Sequence, residues 1–192
     1  WDLYNEPGNG EKGDASHALL KQTWAWARAA APSQPLTACL EGAVGERNRA
    51  LNEAASDVVT FHCYAGARLE ETLARRARGH AGRPAICTEY MARELGTVFR
   101  NALPLFKRYG VGCLNWGLVA GKSQTHFNWK TIDALEKQRA RGAFLRPGEP
   151  IPEPPLWFHD IFRVDGTPFD AEEVAFIKRM TGAAARPGGP AA

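Results

Sequence analysis

The chain has 192 residues, 44% of them hydrophobic and 23% charged, with a formal net charge of +3. That is enough apolar material for one domain with a real core, and the charge is too small and too scattered to argue for a nucleic-acid partner. No apolar run approaches the roughly 18 residues of a membrane span, so no membrane partner is expected.

The first predicted element is a strand over 1–5, within Trp1-Asp2-Leu3-Tyr4-Asn5-Glu6-Pro7; Pro7 stops it and leaves a glutamate at its end. The chain starts inside that strand and without Met, so a preceding segment is expected, and the lack of a visible signal peptide says nothing about export. A helix is predicted over 15–31, capped by Asp14, with Leu20, Trp24, Ala27 and Ala31 facing inward. A strand at 35–40 and a helix at 45–55 follow. Next come a strand at 57–64 and a helix at 67–78 with Leu69, Leu73 and Ala77 inward and arginines outward. A strand at 84–89 leads to a helix over 96–109 with Phe99, Leu103 and Phe106 inward, which Pro104 should kink or start late. The last strand is predicted at 111–118. The stretch 119–156, rich in Pro, Gly and charge, reads as a loop excursion. A final helix is predicted over 170–181 with Val174 and Ile177 buried, and 183–192 reads as a disordered tail.

Cys39, Cys63, Cys87 and Cys113 each fall in a predicted strand, 24, 24 and 26 residues apart, the length of one strand plus one helix. None forms a CxxC pair, so free core thiols are expected and no metal site. Strands alternating with helices argue for an α/β fold with a parallel sheet and right-handed crossovers. An open doubly wound sheet and a (β/α)8 barrel both fit. No GxGxxG or GxxxxGK loop follows a strand, which weakens the nucleotide-binding version.

Polar residues collect at the strand ends: Asn5 and Glu6, Glu41, His62 and Tyr64, Glu89, Asn115 and Trp116. In a barrel these converge on one rim, where barrel active sites sit. Two carboxylates, each ending a short strand, are what acid/base chemistry on a glycosidic bond requires. Each residue also has a plainer reading: Glu6 a solvated loop glutamate, Glu89 an ion-pair partner of Arg93, Asn5 a turn residue, His62 and Trp116 core side chains.

Asn5-Glu6-Pro7 after a Trp-containing strand resembles the fourth-strand motif of clan A glycoside hydrolases, and Thr88-Glu89-Tyr90 resembles their seventh-strand nucleophile motif. Phe61-His62-Cys63-Tyr64 looks like the sixth-strand His-x-Tyr, and Asn115-Trp116-Gly117 like the eighth-strand tryptophan. Together these look most like glycoside hydrolase family five, over residues 1–182. The resemblance implies the C-terminal portion of a (β/α)8 TIM barrel, strands four to eight with their helices, preceded by three further strand–helix units that carry an arginine and a histidine of the site.

The same resemblance implies a retaining β-glycoside hydrolase acting on β-1,4-linked plant polysaccharide (glucan, xylan or mannan), without cofactor or metal, and it points to secretion or the periplasm. Glu6 would be the general acid/base, with a raised pKa, and Glu89 the ionised nucleophile, held by Tyr64. Asn5 would bind the sugar 2-hydroxyl, Trp116 would lie under the reacting sugar, and His62 would bond substrate or carboxylates. Glu41, Gln124, His126 and Trp129 are further candidates to line the cleft. The rival reading is a catalytically silent, carbohydrate-binding or structural remnant of such a barrel; a carboxylate–metal hydrolase is a third. Strands 1–5 and 111–118 would be open edges, with Cys87 and Leu114 lacking inward partners. Self-association, weak stability and little or no activity of these residues without the preceding units are expected.

Overall fold

The computed structural model describes residues 1–40, 44–78, 82–121, 123–140 and 152–182. The apolar runs form a small parallel sheet of three strands, β1 (Val59–His62), β2 (Ala85–Tyr90) and β3 (Gly112–Asn115), in the order β1-β2-β3. The two earlier predicted strands are extended segments tied on in the same sense. Asp2 bridges Thr37 in parallel, the Leu3 N–H reaches the Thr37 carbonyl at 2.8 Å, and the Leu40 N–H reaches that of Thr60 at 2.8 Å. The five extended segments are therefore neighbours in chain order. The described residues contain an α/β fold with a three-stranded parallel sheet; they do not form a closed barrel.

Helices α1 (His17–Ala29), α2 (Glu46–Ala55), α3 (Gly66–Arg78) and α4 (Phe99–Tyr109) lie between the strands. Two more, α5 (Trp129–Ala140) and α6 (Ala171–Thr181), follow β3. The largest core cluster lies under the helices: Leu69 and Leu73 of α3 and Phe99, Ala102 and Phe106 of α4 meet Phe61, Cys87, Tyr90 and Val111, with Val174 and Ile177 of α6 packed against it. A second cluster joins Leu20 and Trp24 of α1 to Leu36 and Ala38.

Several expectations change. Cys87 belongs to the helix-side cluster and is fully buried, whereas Leu114 is 59% exposed. Ala31 and Ala77 are exposed, because α1 ends at Ala29 and the inward stripe of α3 stops at Leu73. Asp14 does not cap its own helix. It sits in a 3-10 turn, Gly13–Ser16, and its carboxylate accepts from the backbone N–H of Asn48 (3.2 Å) at the start of α2, so it caps a helix from outside the chain segment that precedes it. Pro104 lies inside α4, whose start is set at Phe99 by the Asn101 side chain accepting from the Val98 N–H at 3.0 Å. The 119–156 stretch is not all loop, since it contains α5. Glu41 and the tail 183–192 lie outside the described residues. All four cysteines are free.

Candidate functional site

Glu6 follows the first extended segment in a left-handed backbone conformation, φ +41°, which costs a non-glycine residue on the order of 1–3 kcal/mol. The turn after it holds that shape. Gly8 has φ +86°, and a Cβ there would lie 2.3 Å from the Val44 carbonyl oxygen, so only glycine fits. Asn9 closes the turn, donating from Nδ2 to Glu6 Oε2 at 2.6 Å.

His62 ends β1 at an irregularity in the ladder. Phe61 pairs with Cys87 but His62 pairs with Glu89, leaving Thr88 as an extra residue on β2. Such a bulge re-aims side chains, and here it turns Glu89 toward His62. The imidazole Nδ1 lies 2.7 Å from Glu6 Oε1 and 3.2 Å from Glu89 Oε2, so one ring N–H faces two carboxylates. Tyr64, two residues further, donates its hydroxyl to Glu89 Oε2 at 2.6 Å. Its backbone carbonyl accepts from the Thr97 hydroxyl, tying it to the loop before α4. On the other side of Glu89 the chain turns at Met91 in a second left-handed conformation, φ +79°, and the buried His159 ring hydrogen-bonds the Met91 carbonyl at 2.5 Å.

The two carboxyls differ in environment. The hydrogen bond from His62, helped by Asn9, holds Glu6 below the ordinary glutamate range. Burial pushes Glu89 above it, against the opposing pull of the Tyr64 hydroxyl. This reverses the expectation of a raised Glu6 and an easily ionised Glu89: His62 favours the anion on Glu6, and the sheet end desolvates Glu89. Burial and the neighbouring carboxylate also keep the Tyr64 phenol protonated far above its usual range, so it remains a donor.

Arg93 does not pair with Glu89. It is buried against Glu173 of α6, with Nη2 2.5 Å from Oε1, and its Nη1 donates to the Trp157 carbonyl. Asn5 is exposed, and its side chain is hydrogen-bonded to no other described residue. Trp116 is 42% exposed just beyond β3. Gln124 is exposed, in a left-handed turn at φ +56°. His126 packs on Phe127 and Trp157 and lines a separate hollow with Glu153 and Arg163. Trp129 opens α5 and lies edge-on to Tyr64, with ring centres 5.1 Å apart. Sequence reasoning missed Asn9, Met91 and His159. Only the Trp157-Phe158-His159-Asp160 run, aromatic and buried, offered a signal for the last.

Glu6, His62 and Glu89 each offer a donor atom, and the three lie within 4.8 Å of one another, close enough to be compared with a cation site. A tetrahedral ion with bonds of about 2.1 Å separates its donors by about 3.4 Å. The 2.7 Å between His62 and Glu6 is instead the spacing of a hydrogen bond. The trio can share and move protons as it stands, and would have to open to take an ion. Compared with protein-family models, with curated proteins and with solved structures, the chain matches none.

Proposed function

We propose that this chain carries the two-carboxylate machinery of a retaining β-glycoside hydrolase, on the last five strand–helix units of a (β/α)8 barrel, with β-1,4-linked polysaccharide or its oligosaccharides as substrate. The observation that carries the reading is the pair Glu6 and Glu89, with carboxylate oxygens within 4.8 Å, facing each other across His62. Retaining enzymes hold their carboxyls at about 5–5.5 Å, inverting enzymes at about 6.5–9.5 Å. The parallel order of the five extended segments, with the polar residues at their C-terminal ends, supports the barrel.

In this reading Glu89 attacks the anomeric carbon and forms the glycosyl ester, while Glu6 protonates the departing oxygen and then takes a proton from water. Tyr64 steadies Glu89 in the anionic form that attack needs. His62 governs where the proton sits. With its N–H on Glu6, that carboxyl is a poor acid; a shift of the N–H to Glu89, 3.2 Å away, stabilises the nucleophile and frees Glu6 to hold a proton. In the same reading Asn5, exposed beside Glu6, binds a sugar hydroxyl, and the half-exposed Trp116 lies beneath a ring.

The test is a pair of substitutions assayed on aryl β-glycosides. Glu89→Ala should abolish turnover, and azide should restore part of it as a glycosyl azide of inverted configuration. Glu6→Ala should spare good leaving groups and slow poor ones by roughly 10²–10⁴. Equal loss on both substrate types in the glycosylation step removes Glu6 as the acid. The low-lying Glu6 favours one rival, a chain that binds sugar without cleaving it; binding of the same glycosides with no turnover would establish that reading instead.

A further inference from the structure

Trp129 is held in place from several sides and is open on the remaining one. Asn128 fixes the start of α5: its Oδ1 accepts from the Thr131 N–H at 2.9 Å, and its Nδ2 donates to both oxygens of Glu94, at 2.9 and 2.8 Å. Glu94 belongs to the short turn directly after β2, so the helix start is tied to the strand that carries Glu89. The indole is edge-on to Tyr64 (5.1 Å, 87°) and to Phe158 (4.9 Å, 81°), and leans on His159 at 5.8 Å. Phe158 and His159 are 2% and 1% exposed, yet Trp129 is 47% exposed. Tyr64 links it to Glu89, since the Tyr64 hydroxyl donates to Glu89 at 2.6 Å.

We propose that Trp129 is a second sugar platform, binding the pyranose next to the reacting one on the Glu89 side of the cleft; this rests on the glycosidase reading above. Its ligand is a β-1,4-linked chain of gluco or xylo configuration. Such sugars carry their hydroxyls equatorially and offer apolar C–H faces to an aromatic ring. A mannosyl unit places an axial hydroxyl on one face and fits less well. A ring already immobilised by its neighbours loses little entropy on binding, so its exposed face is a prepared surface rather than stray apolar area. Trp116 supplies the platform under the reacting sugar; Trp129 extends the groove from a helix that begins 14 residues after β3 ends.

The experiment measures oligosaccharide affinity by calorimetry in the non-hydrolysing Glu89→Gln chain, using β-1,4 gluco-, xylo- and manno-oligosaccharides of two to five units. Adding Trp129→Leu should weaken gluco- and xylo-oligosaccharides roughly tenfold or more, the effect of losing one stacked apolar face. It should flatten the gain in affinity with chain length. Trp129→Phe keeps a ring and should retain most of the affinity, which separates stacking from misfolding. Trp26→Leu, on α1 and 61% exposed, should change nothing. Undiminished binding in the Trp129→Leu chain overturns the platform while leaving the glycosidase reading intact. Absence of binding by any β-linked oligosaccharide to the Glu89→Gln chain overturns both.

Discussion

Between the Tyr64 hydroxyl and the His62 imidazole, Glu89 is both buried and hydrogen-bonded, and the two effects oppose each other. Burial dominates, which fixes the sign of two predictions. Under the proposed glycosidase activity, Tyr64→Phe removes a donor to a charged acceptor, a bond worth about 1.5–3 kcal/mol, so kcat/KM should fall roughly 10- to 150-fold. The acid limb of its pH profile should move up, because Glu89 loses the contact that favours its anion; an unmoved limb would mean that Tyr64 does not tune Glu89. Glu89→Gln should stabilise the fold. A raised pKa means that the wild-type chain has its full stability from this group while the carboxyl is protonated and loses it as pH rises through the folded pKa. Gln stays neutral, so the gain in Tm should be largest at neutral pH and vanish in acid, at about 2–4 °C per kcal/mol for a chain of this size. A Tm gain that grows toward low pH would contradict the burial argument. Glu6 has the opposite sign: its depressed pKa contributes stability above the unfolded value, and this is lost as pH falls through the folded one. None of this ordering was legible in the sequence. Strand-end position pointed to both glutamates, but which is desolvated depends on a bulge at Phe61/His62 that no residue pattern announces.

At the level of elements, the site depends on how the chain after β2 and β3 is pinned back. Arg93, directly beyond the Met91 turn, is buried with Glu173 of α6 (side chains 5% and 8% exposed) and lies over the Phe169 ring at 5.2 Å. Removing one partner strands the other charge, at about 3–5 kcal/mol. Arg93→Ala or Glu173→Ala should therefore lower Tm by roughly 6–20 °C, and an apolar double replacement should recover most of it. If the double variant is as unstable as either single one, the pair does more than compensate its own burial. Gly117 is the other pin. At φ +83°, a Cβ there would meet His159 Cβ at 2.7 Å and Asp160 Oδ1 at 2.8 Å, so the end of β3 lies flush against the 157–160 segment that backs Tyr64 and Trp129. The periodicity of α1, α3 and α4 could be read in advance because each sets an apolar stripe into a core cluster, and that of α6 because Val174 and Ile177 pack against the cluster that α4 shares; α2 instead buries Asn48 and Asn52. The periodicity of α5 could not be read. Those of its residues whose burial is described are exposed or half-buried, none fully buried, it lies in a stretch of Pro, Gly and charge, and its start is set by Asn128 reaching Glu94 across 34 residues of chain.

For the whole molecule, strand–helix spacing gave the order of units correctly, because β1, β2 and β3 are short, apolar and covered by helices. It overstated the two earlier strands, where 1–5 and 35–40 hold to the sheet through a single bridge and a few backbone bonds rather than a ladder. Among the described residues no strand pairs with the outer side of β3. Along it and just beyond, Leu114 and Trp116 are 59% and 42% exposed, whereas from Leu118 onward the backbone is paired with Ile161 and Phe162. Unpaired N–H and C=O groups beside apolar side chains form a template for another chain, and natural sheets blunt such edges with lysine. The chain should therefore self-associate, with a sedimentation-average mass that rises across micromolar to near-millimolar concentration. Leu114→Lys places a charge on that edge and should shift the rise to higher concentration. A wild-type chain that sediments as a monomer throughout the range would mean that the β3 edge is not an association surface.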